Sequence, residues 1–214
     1  MINFKLPAKG ALKQNGPDDP LSLYYHPLAG YLYRERIRQG LSLLKPPYDS
    51  ILEIGYGSGI LMPTLVSVGR SVSGIDINSD PLDVAHNLLG MGVSVSLQKG
   101  DIFSARYLDE SFDLIVAISI IEHIDDVEGF TKKVCALLRP GGHFLAGMPK
   151  VGGFMNAAFR MIGYRDMESR HVSSHKRFLE AADGLFSLIG ADRMPSRIPA
   201  GLSIYFNMLF SKKR

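Results

Sequence analysis

The sequence predicts an α/β protein, a doubly wound and mostly parallel sheet covered by helices on both faces. Three observations carry this. Short apolar runs alternate with helix-patterned segments along most of the 214 residues, the first run breaks into the glycine-rich turn "GYGSG", and caps or turn residues stand between the runs. Such alternation gives parallel strands joined by helical crossovers, with ligands at the carboxyl ends where strand order reverses. At 46% hydrophobic and 21% charged, the chain can bury a full core, and one domain is the default for this length.

Residues 1–26, with "PAKGALKQNGPDDP", read as an irregular arm ahead of a single domain over 27–214. A helix is expected over 27–44, where "KPP" ends it. Strands are expected over 50–55, 71–77, 93–97, 112–118, 143–147 and 203–210. Asp80-Pro81 marks a helix start, because the carboxylate caps free N–H groups and proline at the first position loses no hydrogen bond. Val127, Phe130, Val134, Leu137 and Leu138 share one helical face, and "RPGG" stops that helix. A further helix is expected from about residue 174, with Phe178, Ala181, Ala182, Leu185 and Phe186 on one face and Gly190 closing it.

Composition excludes several classes. The longest apolar run, 114–118, is far short of the ~20 residues that span a bilayer. "MINFKLPAKG" lacks the apolar stretch of a secretory signal. The single cysteine, Cys135, cannot form an internal disulfide, and a reducing, cytoplasmic setting is expected. Nothing resembles a Cys-His metal cluster, and Glu122-His123 lacks the second histidine of a zinc H-E-x-x-H site. No aromatic-basic nucleic-acid module is recognisable. Charge is uneven: residues 150–214 hold eleven Lys/Arg against five Asp/Glu, whereas the rest of the chain is slightly acidic. This is either a solvated surface or a face for an anionic partner.

The glycine turn narrows the ligand. Gly55, Gly57 and Gly59 are spaced G-x-G-x-G, and Ile60 stands where a dinucleotide fingerprint needs glycine or alanine. Glu53, two residues earlier on the same side of the strand, would repel a pyrophosphate and suit a ligand with a cationic amino group. Asp76, at the end of the next strand, can accept from ribose hydroxyls, a role shared with dinucleotide sites. Ser58 is no nucleophile-elbow serine, since the glycines do not bracket it at the required spacing.

"LEIGYGSG", "GIDIN", "KGDIF", "FDLIVAISIIEHI" and "LLRPGGHFL" together resemble, in order, the motifs of the class I S-adenosylmethionine-dependent methyltransferases. The resemblance covers most of the chain. It implies a Rossmann-like sheet of seven strands with an antiparallel last strand. It also implies a cofactor site of Glu53, Gly55, Gly57, Gly59, Asp76, Ile77, Asp101, Ile102, Ile118 and Ser119. Asp101 would accept from the adenine amino group, Ile102 would pack on the ring, and Ile118 and Ser119 would lie beside the cofactor. His123, just past the fourth strand, is the candidate general base, needed only if the acceptor keeps its proton at neutral pH. Acceptor contacts are expected from the least motif-like segment, at Arg170, His171, His175, Lys176 and Arg177, where a helix start surrounded by cations would hold an anionic group of a small molecule or a membrane headgroup. Two other readings stand beside this one: a catalytically silent cofactor- or partner-binding member of the fold, and an NAD(P)-dependent oxidoreductase.

Overall fold

The computed structural model describes residues 2–16, 19–149, 175–195 and 203–213. Seven strands, β1 (Tyr48–Ile54), β2 (Gly69–Asp76), β3 (Ser96–Lys99), β4 (Phe112–Ile118), β5 (Leu138–Pro149), β6 (Phe186–Met194) and β7 (Tyr205–Lys212), form one sheet in the order β3-β2-β1-β4-β5-β7-β6. Pairing is parallel except at β7, which runs antiparallel to both β5 and β6. The order reverses between β1 and β4, so the expected ligand crevice lies beyond Ile54 and Ile118.

Alternation along the strands divides the core in two. Ile51, Leu114, Val116 and Leu145 point to one face, which they share with Ile37 and Leu41 of α2 (Ala29–Ser42), Met62 and Leu65 of α3 (Met62–Leu65), and Val84 and Leu88 of α4 (Pro81–Leu89). Leu52, Ile54, Ile115, Ala117 and Phe144 point to the other, under α5 (Val127–Leu137) and α6 (His175–Ala182). Phe144 is the hub of that second core, with the rings of Phe130, Phe178, Phe186 and Phe210 at 5.9–6.2 Å from its own. Asp80 caps α4 as its sequence indicates, accepting from the N–H groups of Leu82 and Asp83.

Three expectations shift. The third strand is Ser96–Lys99 rather than 93–97, because Val93 is consumed in closing α4, its N–H donating to the Leu88 carbonyl and its side chain buried. β5 extends to both sides of 143–147 along its neighbours. The helix expected through Phe186 ends at Ala182, Gly184 turns the chain with φ +84°, and 186–194 is an edge strand with Gly190 at a register shift. Most of β6 between Phe186 and Met194 is exposed or only partly buried, so backbone pairing with β7 makes the strand and the side chains carry little sign of it.

The arm carries one helical turn, α1 (Leu21–Tyr24), and packs along the first core through buried Leu12, Leu21 and Tyr24. Among the described residues no helix is long and apolar enough to cross a membrane.

Candidate functional site

The turn after β1 needs its glycines. Gly55, Gly57 and Gly59 have φ of +81°, +51° and +78°, a region L side chains rarely enter. A Cβ on Gly55 would collide with Ile120, and one on Gly59 would stand 2.9 Å from Val84 Cγ1. The glycines thus serve close approach of the β4 segment and α4 as well as the turn itself.

Glu53 sits in the middle of the sheet, opposite Gly74 on β2 and Val116 on β4. It is buried, and its Oε2 has no hydrogen-bond partner. Burial raises its carboxyl well above the usual range, and the Asp76 charge adds to this. A buried carboxylate without a partner is costly unless neutral or paired with a cation. The ammonium of S-adenosylmethionine is such a cation, so this residue fits that cofactor and opposes a diphosphate.

Asp76 terminates β2 and organises its surroundings. Oδ1 accepts from Asn78 and Ser79 N–H at 2.8 Å each, and Oδ2 accepts from Gly57 N–H at 2.9 Å. A carboxylate offers about four lone-pair sites, so this geometry leaves room for about one further donor. The expectation that Asp76 accepts both ribose hydroxyls meets that limit.

The arm reaches the same place. Asp19 accepts from Asn15 N–H at 2.9 Å, Leu21 N–H at 3.1 Å and Ser58 Oγ at 3.3 Å, which fastens the arm onto the glycine turn. Burial raises the Asp19 carboxyl against these hydrogen bonds. Asn15 also bonds both ways to the backbone of Asp80. Composition alone marked this stretch only as irregular.

At the far end of the crevice, Asp101 is exposed and caps its own turn through Phe103 N–H at 3.0 Å. Ile102 is buried in the second core with Ile75 and Phe112, so its expected place on an adenine ring is not on open surface. The exposed apolar groups there are Ile77 and Phe103, 63% and 42% accessible. Ile77 belongs to the sequence motifs' expected site; Phe103 carries no such mark.

Beyond β4 the chain enters a polar cluster. Ile118 packs half-buried against the first core. Ser119 adopts φ +56°, held by its N–H to the Gly147 carbonyl at 2.7 Å and a 2.7 Å hydroxyl contact with Tyr205. Arg36 of α2 donates to Ser119 Oγ and to Tyr24 Oη, both at 3.1 Å. Its guanidinium lies 4.2 Å from the centre of the Tyr33 ring and 5.5 Å from that of Tyr205. The following 3-10 turn, Ile121–His123, buries Glu122 and exposes His123. Burial pushes the Glu122 carboxyl up to about 7, against its own backbone N–H and the Arg36 charge. Sequence position favours His123; the structure brings Glu122 to the interior. Arg36 had one legible sign, its place one residue before Ile37 on the sheet-facing side of α2, where a charge is unexpected.

The basic segment divides differently from its expectation. Arg170 and His171 lie outside the described residues. Arg177 forms a two-point contact with Glu128 of α5, at 3.1 and 3.4 Å, and Lys176 is paired with Glu180 on its own exposed helix face. His175 stacks on Phe206, with ring centres 5.0 Å apart. Arg177 and Lys176 therefore already have anionic partners.

Residues 52–146 match the family described as "Methyltransferase domain". This stretch matches a methyltransferase domain, and its motifs are similar to those of the class I S-adenosylmethionine-dependent methyltransferases. The matched stretch runs from β1 to β5 and so contains the glycine turn, Asp76, Asp101 and Glu122. A ubiquinone biosynthesis O-methyltransferase of Methylobacterium sp. is 36% identical over 98 residues, which is 45% of this chain and 39% of that protein. One of Serratia proteamaculans is 26% identical over 163 residues, 74% of this chain and 66% of that protein. The chain thus spans about two fifths of the curated relatives it matches at higher identity. In fold it resembles the N-methyltransferase NodS of Bradyrhizobium japonicum in complex with S-adenosyl-L-homocysteine, with a TM-score of 0.65, 19% identity and coverage of 92% of this chain and 93% of that one.

Proposed function

We propose that this chain transfers the methyl group of S-adenosylmethionine to an oxygen of a small-molecule acceptor. The observation that carries the cofactor is Glu53, a buried carboxylate with an unpartnered oxygen at the base of the glycine turn. Glu53 would hold the amino group, Asp76 one ribose hydroxyl, and Asp101 the adenine amino group with Ile77 and Phe103 on the ring. When bound, the cofactor supplies a methyl group already activated by its sulfonium. The chain's own task is to align the acceptor behind that methyl group and exclude water. Oxygen as the receiving atom is supported by the O-methyltransferase names of the relatives. The acceptor's polar group is assigned to the Arg36 cluster rather than to Lys176 and Arg177, which are engaged by glutamates.

Thermal unfolding with added ligand tests the cofactor. A ligand at about 100 times its dissociation constant stabilises by about 2.7 kcal/mol, or roughly 5–11 °C for a chain of this size. S-adenosylhomocysteine should give that shift and NAD none. A larger shift with NAD would replace this reading with an oxidoreductase.

A further inference from the structure

Two buried polar atoms near Ser119 lack partners, and they are complementary. Glu122 Oε2 is an acceptor and Arg36 Nε a donor, and neither hydrogen-bonds to anything. The Arg36 charge acts on the Glu122 carboxyl, and the guanidinium spends its other nitrogens on Ser119 and Tyr24. A buried charged group left without a partner is costly. Here both partners keep an unsatisfied edge, which a small group able to donate to one and accept from the other would satisfy.

The position adds to this. Ile120 lies against Gly55, so the segment 119–122 runs beside the glycine turn, at the carboxyl end of β4 where the strand order reverses. Arg36 is held in place by Tyr24, Tyr33 and Tyr205, which come from three separate elements. A long flexible cation fixed on several sides in this way is pre-organised for one ligand position.

We propose that Glu122 and Arg36 bind the acceptor's ionisable hydroxyl, of the phenolic or enolic class, with Glu122 taking its proton and Arg36 holding the oxyanion. This rests on the methyl-transfer reading above. The O–H bond breaks toward Glu122, and the freed oxygen pair forms the new bond to the methyl carbon. The electrons of that carbon's bond to sulfur pass to the sulfur, so sulfonium becomes thioether and charge balances. The groups facing the Glu122 carboxyl are Arg36 from α2 and Tyr205 from β7, with His123 adjacent in the chain. Burial raises the Tyr205 hydroxyl, so it stays neutral and Glu122 is the proton acceptor near neutral pH.

The test uses the full chain saturated with S-adenosylhomocysteine and 4-nitrophenol as probe. Calorimetric titration in two buffers of different ionisation heat, at a pH of about 8, counts the protons that bind with the dye; absorbance reports the ionisation state of the bound dye. With Glu122 ionised before binding and protonated after it, the wild type should take up close to one proton per dye bound. Glu122→Gln should bind the dye with uptake near zero, and Glu122→Asp should restore it, which a merely structural role would not do. Arg36→Gln should lose the phenolate absorbance of the bound dye. Equal uptake in wild type and Glu122→Gln, or a wild type that binds no dye, overturns the proposal. An unchanged phenolate band in Arg36→Gln overturns the part given to Arg36. If S-adenosylhomocysteine itself fails to shift wild-type unfolding, the methyl-transfer reading falls instead.

Discussion

Replacing Glu122 by glutamine should change how stability depends on pH, and the structure gives both sign and size. The carboxyl rises from 4.5 to about 7 on folding, chiefly by burial. A carboxyl raised in the folded state binds its proton more tightly there than in the unfolded chain. Its favourable contribution is complete below about pH 4.5 and is lost as pH rises through about 7. At 1.36 kcal/mol per pH unit, that interval is worth on the order of 3 kcal/mol. Glutamine keeps the shape and does not titrate. Urea unfolding of both proteins between pH 5 and 8 should therefore show the variant gaining on the wild type by about 3 kcal/mol as pH rises, equivalent to roughly 6–12 °C in melting temperature. Glu53 is raised in the same direction, but it is common to both proteins and cancels in the difference. Parallel stability curves would show that Glu122 is hydrated or paired, and would refute the buried placement on which its proton-accepting role depends.

Asp76→Ala should weaken S-adenosylhomocysteine binding about 10- to 150-fold, the equivalent of a charged hydrogen bond worth ~1.5–3 kcal/mol. It should also lower the urea midpoint, because three backbone N–H groups at the glycine turn and the start of the next loop lose their acceptor; an unchanged midpoint would mean those contacts do not hold the turn. Gly59→Ala should cost about 1–3 kcal/mol in the same unfolding assay, since φ is +78° and the new methyl would meet Val84 at 2.9 Å and Leu88 at 3.1 Å. Wild-type stability in that variant would show that α4 can retreat from the turn.

Local chemistry made much of this protein legible before any contact was known. Alternating apolar runs and capped helices determine the α/β class, because period-2 and period-3.6 patterns bury different faces. Asp80-Pro81 determines a helix start by satisfying free N–H groups locally, and the structure bears this out. The glycine spacing with Glu53 and Asp76 marks a tight turn at the carboxyl end of the first strand, since a backbone at positive φ favours glycine. What the tertiary structure decided is where partners lie far apart in sequence. β6 exists because β7 offers it a ladder, and its own side chains, mostly exposed or only partly buried, carry no alternating signal. Which of Glu122 and His123 turns inward is set by the 3-10 turn after β4, and adjacent residues there read alike in sequence. Arg36 meets Ser119 across 83 positions and Tyr205 across still more, so only the packing of α2 over the sheet brings a cation, a tyrosine cage and a buried carboxylate to one place. Lys176 and Arg177 look like an anion site as a run of letters, and become surface pairs once Glu128 and Glu180 stand beside them.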